Sequence, residues 1–337
     1  MRRLLCALAA LVCSSPPAAA LAQHPQVPDS SVVEGVDFRV YDHRGGARSF
    51  AEVLKALDQA DAVLVGETHD DVVGHGVETE LLVRAAERMG VAGEGSSIRR
   101  PVVLSMEMFE RDVQYILDEY LAGLITEDQF KKSARPWDRY DTDYRPMVEF
   151  ACAHGIPVLA ANAPRRYVNR VSRLGPASLD TLSESAKAFL PPLPYPGPSE
   201  AYAARWNALM AEMSAPRPAK DSVPATPTPA GMPAPAGHGV GNALYAQALW
   251  DAAMGHAVAM ALQAEPGALV VHYVGSFHVE RDMGIPERIR DYRPGARILA
   301  VVLQPVSDID AWDEKEHEDL GDFVILTRRP AEAAPGS

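Results

Sequence analysis

Cysteine is scarce in this chain, with three in 337 residues. Two of them, Cys6 and Cys13, fall in the opening apolar stretch, which leaves Cys152 alone. One cysteine cannot form an internal disulfide, so stability has to come from a packed core. A hydrophobic fraction of 47% supplies one, for one large domain or two small ones. Long apolar runs are also missing. After the first residues no segment reaches the ~18 consecutive apolar residues that a membrane helix requires. Positive charge is in deficit too. A net charge of −13 argues against nucleic acid and anionic lipid as partners. There is no G-x-S-x-G elbow, no Gly-rich phosphate loop ending in Gly-Lys, no H-E-x-x-H and no paired C-x-x-C.

What is present begins with a secretory signal. "MRRLLCALAALVC" carries two arginines and a short apolar run, and Ala20-Leu21-Ala22 offers a small-x-small cleavage site. Cutting after Ala22 removes Arg2 and Arg3 but no acid, taking the charge from −13 to −15. Export without disulfides suits the bacterial periplasm. A lipid anchor on Cys13 would want Leu three residues earlier and a small residue just before it. Ala10 and Val12 stand there, so a soluble periplasmic protein is expected, with membrane contact only if Cys13 is lipidated.

The organisation expected after residues 1–22 is a tail over 23–36, a single α/β domain over 37–330 and a tail over 331–337. A Pro- and Ala-rich stretch at about 215–239 lacks periodicity and reads as a disordered insertion. Elsewhere short apolar runs at 62–67, 102–109, 157–164, 269–278, 297–303 and 323–327 read as buried strands. Helical patterns lie between them, closing on Gly90 and Gly123 in two cases, and one long apolar helix spans "NALYAQALWDAAMGHAVAMALQ". This alternation predicts an α/β fold: a mostly parallel sheet covered by helices on both faces, with a helical excursion. The connection between the last two strands is too loose to place them.

Four of these strands deliver polar side chains at their carboxyl ends, where open parallel sheets form their ligand crevice. The first ends in Gly66-Glu67-Thr68-His69 and is followed by Asp70, Asp71, His75 and Glu78. The second carries Glu107, the third leads through Asn162 to Arg165 and Arg166, and the fourth ends in Gly275-Ser276-Phe277-His278. Glu67 and His69 are two apart, so extended backbone aims them the same way. His75 and Glu78 are three apart and share a helix face. Carboxylates with imidazoles can bind a divalent metal, here through Glu67, His69, Glu107 and His278. The same four residues can do hydrolytic acid–base work on water. Imidazole and tyrosine phenolate are also haem ligands.

Several long blocks, in order, carry a family resemblance: "LVGETHDDVVGH", "LSMEMFERDVQ", "YRPMVEFACAHGIPVLAANAPRRYVNRVSRLG", "YAQALWDAAMG" and "VGSFHVERDMGIPERI". Together they resemble the ChaN-like family of haem-binding, iron-regulated envelope proteins, over about 62–286. The resemblance implies an α/β fold, export, a role in haem or iron acquisition or trafficking, and haem bound near a homodimer interface. More remotely, G-E-x-H and the late G-x-x-H resemble the erythromycin-esterase and TraB-like hydrolases. That likeness implies a shared pocket of Glu67, His69, Glu107 and His278.

Haem contacts are therefore expected from Glu67, His69, His75, Glu107, His278, Tyr144 and Arg165. Each has a blander reading. Glu67 and His69 can cap the next helix, Glu107 can bond backbone amides, and His75 can be a solvated first-turn residue. Tyr140 and Tyr144, beside a proline, can simply pack. Arg165 and Arg166 suit haem propionates or surface acids. His256, Met254 and Met260 on the long helix read as packing, and His238 as solvated.

Overall fold

The computed structural model describes residues 32–93, 97–214 and 240–329. The proposed signal, the insertion at 215–239 and the C-terminal tail at 331–337 lie outside them. Within the expected N-terminal tail, Val32 packs against the core and Glu34 accepts a hydrogen bond from the Phe50 amide at 2.9 Å.

Two short strands open the fold: β1 (Phe38–Asp42) and β2 (Ala47–Arg48), an antiparallel hairpin. The sequence reading did not include them. They are short, and β2 is exposed, so neither makes the apolar run that marks a central strand. Helix α1 (Phe50–Ala56) follows, started by a reciprocal cap between Ser49 and Glu52. Next come β3 (Ala62–Glu67), α2 (Val72–Arg88) and β4 (Val102–Glu110). Then α3 (Gln114–Leu121), α4 (Glu127–Ala134) and α5 (Arg145–Ala153) lead into β5 (Val158–Asn162). Helices α6 (Arg165–Leu174), α7 (Glu184–Lys187), α8 (Glu200–Ser214) and α9 (Val240–Ala264) precede β6 (Leu269–Gly275). The chain finishes with α10 (Ile285–Tyr292), β7 (Ile298–Val306), α11 (Glu314–His317) and β8 (Phe323–Arg328). No described helix is long and apolar enough to cross a membrane.

The eight strands form one sheet in the order β2-β1-β8-β7-β3-β6-β4-β5. All neighbours from β8 to β5 are parallel, and β1 runs antiparallel to β8. The mostly parallel α/β architecture is therefore as expected. The two loosely joined last strands pair with each other, parallel, beyond β3.

Alternation along each strand feeds two cores, one per face. Val63 and Val65 of β3 face α1 to α5, packing with Leu81, Leu117, Phe130 and Met147. Ala62 and Leu64 face α6, α9 and α10, packing with Val171, Leu249 and Ile289. Helices thus cover both faces, and strands buried on both sides read as continuous apolar runs.

One feature of the order fixes where a site can form. From β3 the chain moves through α2 to β4 and β5, towards one edge. From β6 it moves through α10 to β7 and β8, towards the other. Adjacent strands β3 and β6 thus send their connections opposite ways, which opens a crevice beyond their carboxyl ends. Glu67 sits level with Gly275 at that point.

Candidate functional site

Glu67, the last residue of β3, is buried and central. Its Oε1 lies 2.7 Å from His69 Nδ1 and accepts the Tyr144 hydroxyl at 2.8 Å. Its Oε2 lies 3.0 Å from His75 Nδ1. The same His75 nitrogen lies 3.1 Å from Glu78 Oε2, so the i,i+3 pair does share one face of α2. On its other side, His75 Nε2 lies 3.3 Å from the His69 carbonyl and 3.4 Å from Asp143 Oδ2.

The segment that brings Tyr144 in is a turn of π-helix, Tyr140–Tyr144. Its wider turn buries both Asp143 and Tyr144 although they are consecutive. Arg139 holds Asp143 in place. Trp137 stands edge-on to His69, with ring centroids 4.9 Å apart.

Burial by itself would raise the Glu67 carboxyl, but hydrogen bonds from His69 and His75 outweigh it and hold it below the ordinary carboxylate range. Burial opposes charge on His69, yet the Glu67 hydrogen bond and charge push it up to about 9. His75 rises further, to about 11, because Glu67 and Glu78 both face it. Glu78 is pushed up by burial and then by the Glu67 charge. The Tyr144 phenol is driven upwards by burial and by the Glu67 and Glu78 carboxylates, which keeps it a neutral donor to Glu67.

The second half of the site lies across Gly275. Glu107 Oε2 accepts the Gly275 amide at 2.8 Å. A methyl on Gly275 would sit 3.0 Å from both His69 Cε1 and Nε2 and 3.6 Å from Glu107 Oε2, so this glycine admits the imidazole beside the sheet end. His278 follows in a 3-10 turn, Ser276–His278, rather than in the strand expected to run to 278. Its Nδ1 lies 2.5 Å from Asp251 Oδ1, and its Nε2 lies 3.8 Å from Glu107 Oε1. Burial lowers the His278 imidazole, but Asp251 and Glu107 carry it above its ordinary value.

The fold thus brings Glu67, His69, Glu107 and His278 to one crevice. Among the described residues, three possible ligand atoms come within 4.8 Å of one another at Glu67, His75 and Glu78, a set that shares only Glu67 with those four. Tyr144 is fully buried, and its hydroxyl is engaged by Glu67. Arg165 opens α6, exposed and without an ion pair among the described residues, whereas Arg166 pairs with Asp112. Tyr140 packs with Phe109 and Phe130. Met254 is core and Met260 is 40% exposed. His256 touches Arg111 and Tyr292, and burial followed by the Arg111 charge lowers it to about 4. His238 lies outside the described residues.

Sequence reasoning missed Asp143, Asp251 and Gly275. Asp251 left a signal, since it is the one acid in 25 residues of otherwise uncharged helix. Asp143 left none, because its inward direction depends on the π-helical turn. Clefts of about 440 and 480 Å³ lie elsewhere, lined by Leu262 and Tyr292 in one case and by Pro191 and His256 in the other.

A family model described as haem-binding uptake, Tiki superfamily, ChaN matches residues 53–289. Among solved structures, the chain is similar to one described as cofacial haem binding to ChaN of Campylobacter jejuni. That match has a TM-score of 0.60 and 17% identity, covering 88% of this chain and 100% of that one. Weaker likenesses are to the type III effector HopBA1 (TM-score 0.44, 12% identity, covering 82% and 92%) and to an erythromycin esterase, EreC, in its open conformation (0.42, 10%, 86% and 83%). At this identity the first match speaks for the fold, and the other two carry no argument. No curated protein matches.

Proposed function

This chain belongs to the haem-binding uptake family ChaN of the Tiki superfamily, and from that premise we propose that it binds haem at the rim of the β3–β6 crevice, through His69, in the service of iron acquisition or haem trafficking in the periplasm. The observation that carries this reading is the state of His69. Its Nδ1 is held by the Glu67 carboxylate at 2.7 Å, while its Nε2 makes no hydrogen bond among the described residues. The side chain is 20% exposed, the most open of the rim histidines. A carboxylate on one imidazole nitrogen fixes the ring and makes the other a stronger ligand. His69 Nε2 would then be the atom to hold a haem iron, which would supply the redox-active metal.

The rest of the rim fits a flat, partly apolar ligand carried on an open face. Trp137 packs edge-on against His69, and Val72, three residues along, is 60% exposed. Arg165 is free to take a propionate. We extend the proposal to a haem-dependent homodimer. Tyr144 contributes by holding Glu67, since its buried hydroxyl faces that carboxylate.

The test is a hemin titration of the parent and of His69→Gln, followed by absorbance, with sedimentation to read the oligomer. A Soret band that shifts or weakens at least tenfold in His69→Gln supports the assignment. A parent-like band in the variant overturns it.

A second reading is hydrolysis, favoured by the Asp251–His278 pair, in which a carboxylate orients an imidazole beside Glu107 as in general-base sites. It predicts ester turnover that is lost in His278→Ala while hemin binding persists. No turnover in the parent would remove it.

A further inference from the structure

We propose that Glu67, His75 and Glu78 form a buried site for one divalent transition-metal ion, behind the His69 rim and joined to it through Glu67, whether or not haem binds there. Three observations carry it. The first is convergence. His75 Nδ1 lies 3.0 Å from Glu67 Oε2 and 3.1 Å from Glu78 Oε2. Ligand atoms about 2.0–2.2 Å from a shared ion stand roughly 3.0–3.4 Å apart, so these spacings are those of a coordination sphere. A single imidazole nitrogen carries at most one proton and cannot satisfy two carboxylates at once.

The second observation is what is left unpaired. Glu78 Oε1 is a buried oxygen with no hydrogen-bond partner, and Glu67 Oε2 faces only the His75 Nδ1 that Glu78 Oε2 also shares. Glu67 is 2% exposed and Glu78 0%. Such oxygens are costly unless something cationic meets them. The third is the outer arrangement. His75 Nε2 faces the His69 carbonyl at 3.3 Å and Asp143 at 3.4 Å, acceptors that can keep the imidazole proton on that side when a metal ion displaces the proton from Nδ1. Tyr144 donates to the other oxygen of Glu67, and the Tyr273 hydroxyl donates to the Glu78 carbonyl at 2.7 Å, fixing both acids.

Charge counting agrees. Two carboxylates and a neutral imidazole balance a doubly charged ion within a buried site. One nitrogen and two carboxylate oxygens suit zinc, manganese or ferrous iron rather than calcium or magnesium. Glu67 then has one oxygen for each half of the site: Oε1 for His69 and Oε2 for the metal.

The experiment uses the full chain, stripped with a chelator and without hemin. Zinc(II), manganese(II) and, under anaerobic conditions, iron(II) are titrated by calorimetry, and bound metal is counted by mass spectrometry. The expected result is one ion per chain for at least one of the three, with a higher melting temperature. Glu78→Gln and Glu67→Gln should each weaken binding more than tenfold. Asp143→Asn should weaken it about 10–100-fold through the back of His75. Glu80→Gln, on the outer side of the same helix, should bind like the parent. Circular dichroism confirms that each variant is folded. No stoichiometric uptake by the parent, or parent-like uptake in folded Glu78→Gln, overturns the proposal. A haem result in either direction leaves this outcome unaffected.

Discussion

Replacing Gly275 by alanine tests the site without removing any of its donors. Gly275 has φ −56° and ψ 137°, which alanine adopts freely. The added methyl would lie 3.0 Å from His69 Cε1 and Nε2, against about 3.5–4.0 Å for an ordinary contact. The ring must therefore retreat by roughly 0.5–1 Å. It can do so, because the His69 side chain is 20% exposed and sits at the rim. The cost is a weakened bond to Glu67, a charged pair in a class worth about 1.5–3 kcal/mol. Losing a glycine from the unfolded chain returns about 0.4–1 kcal/mol. The net loss of stability should be no more than about 2.6 kcal/mol, reached only if the bond to Glu67 is lost outright. Hemin coordination should fall much further, because the methyl crowds the Cε1–Nε2 edge of the ring and shifts it away from the place where Nε2 would meet the iron. Gly66→Ala is the contrast. Its methyl would meet Ser276 Cα at 2.9 Å and Val279 at 2.6 Å, and backbone cannot swing away. That variant should lose stability by about 1–3 kcal/mol or more. Urea unfolding and hemin titration on both proteins separate the effects. A Gly275→Ala protein that binds hemin with parent affinity and Soret position would refute the placement of the ligand at His69 Nε2.

Three more outcomes are expected. Because His69 titrates at about 9, a proton competes with iron for Nε2 at neutral pH; hemin affinity should rise about tenfold per unit from pH 7 to 9, then level, and in Glu67→Gln the plateau should move towards 6.5. Buried His272, whose Nδ1 lies 2.9 Å from Ser105 Oγ, is lowered to about 3 by burial and then by the His278 charge. Its depressed value means that the stability it allows is present above pH 6.5 and lost as pH falls towards 3, by on the order of 4 kcal/mol, which urea unfolding against pH should register and His272→Asn should flatten. Protein recovered from bacterial periplasm should begin at Gln23 without lipid; mass spectrometry finding an acylated Cys13 would place it on a membrane instead.

Much of this protein was written locally. The six apolar runs became the strands because a strand buried on both faces must be apolar throughout, and that constraint is visible residue by residue. Glu67, His69, Glu107 and His278 were legible as strand-end residues for the same reason: polar side chains where an apolar run stops have a crevice as their natural destination. The His75–Glu78 pair was legible from helical spacing. Strand order was not. That β3 and β6 lie side by side is decided by crossovers between segments some 200 residues apart, and it is this adjacency that sets Glu67 level with Gly275. Nor could spacing say that Asp143 and Asp251 turn inward, since the first depends on a π-helical turn and the second on which face of a uniformly apolar helix meets the sheet. The sequence by itself chose the residues, because burial and periodicity are local demands. Only the tertiary structure decided that Glu67 offers one oxygen to His69 and the other to His75, because a carboxylate's partners depend on which chains the sheet brings alongside it.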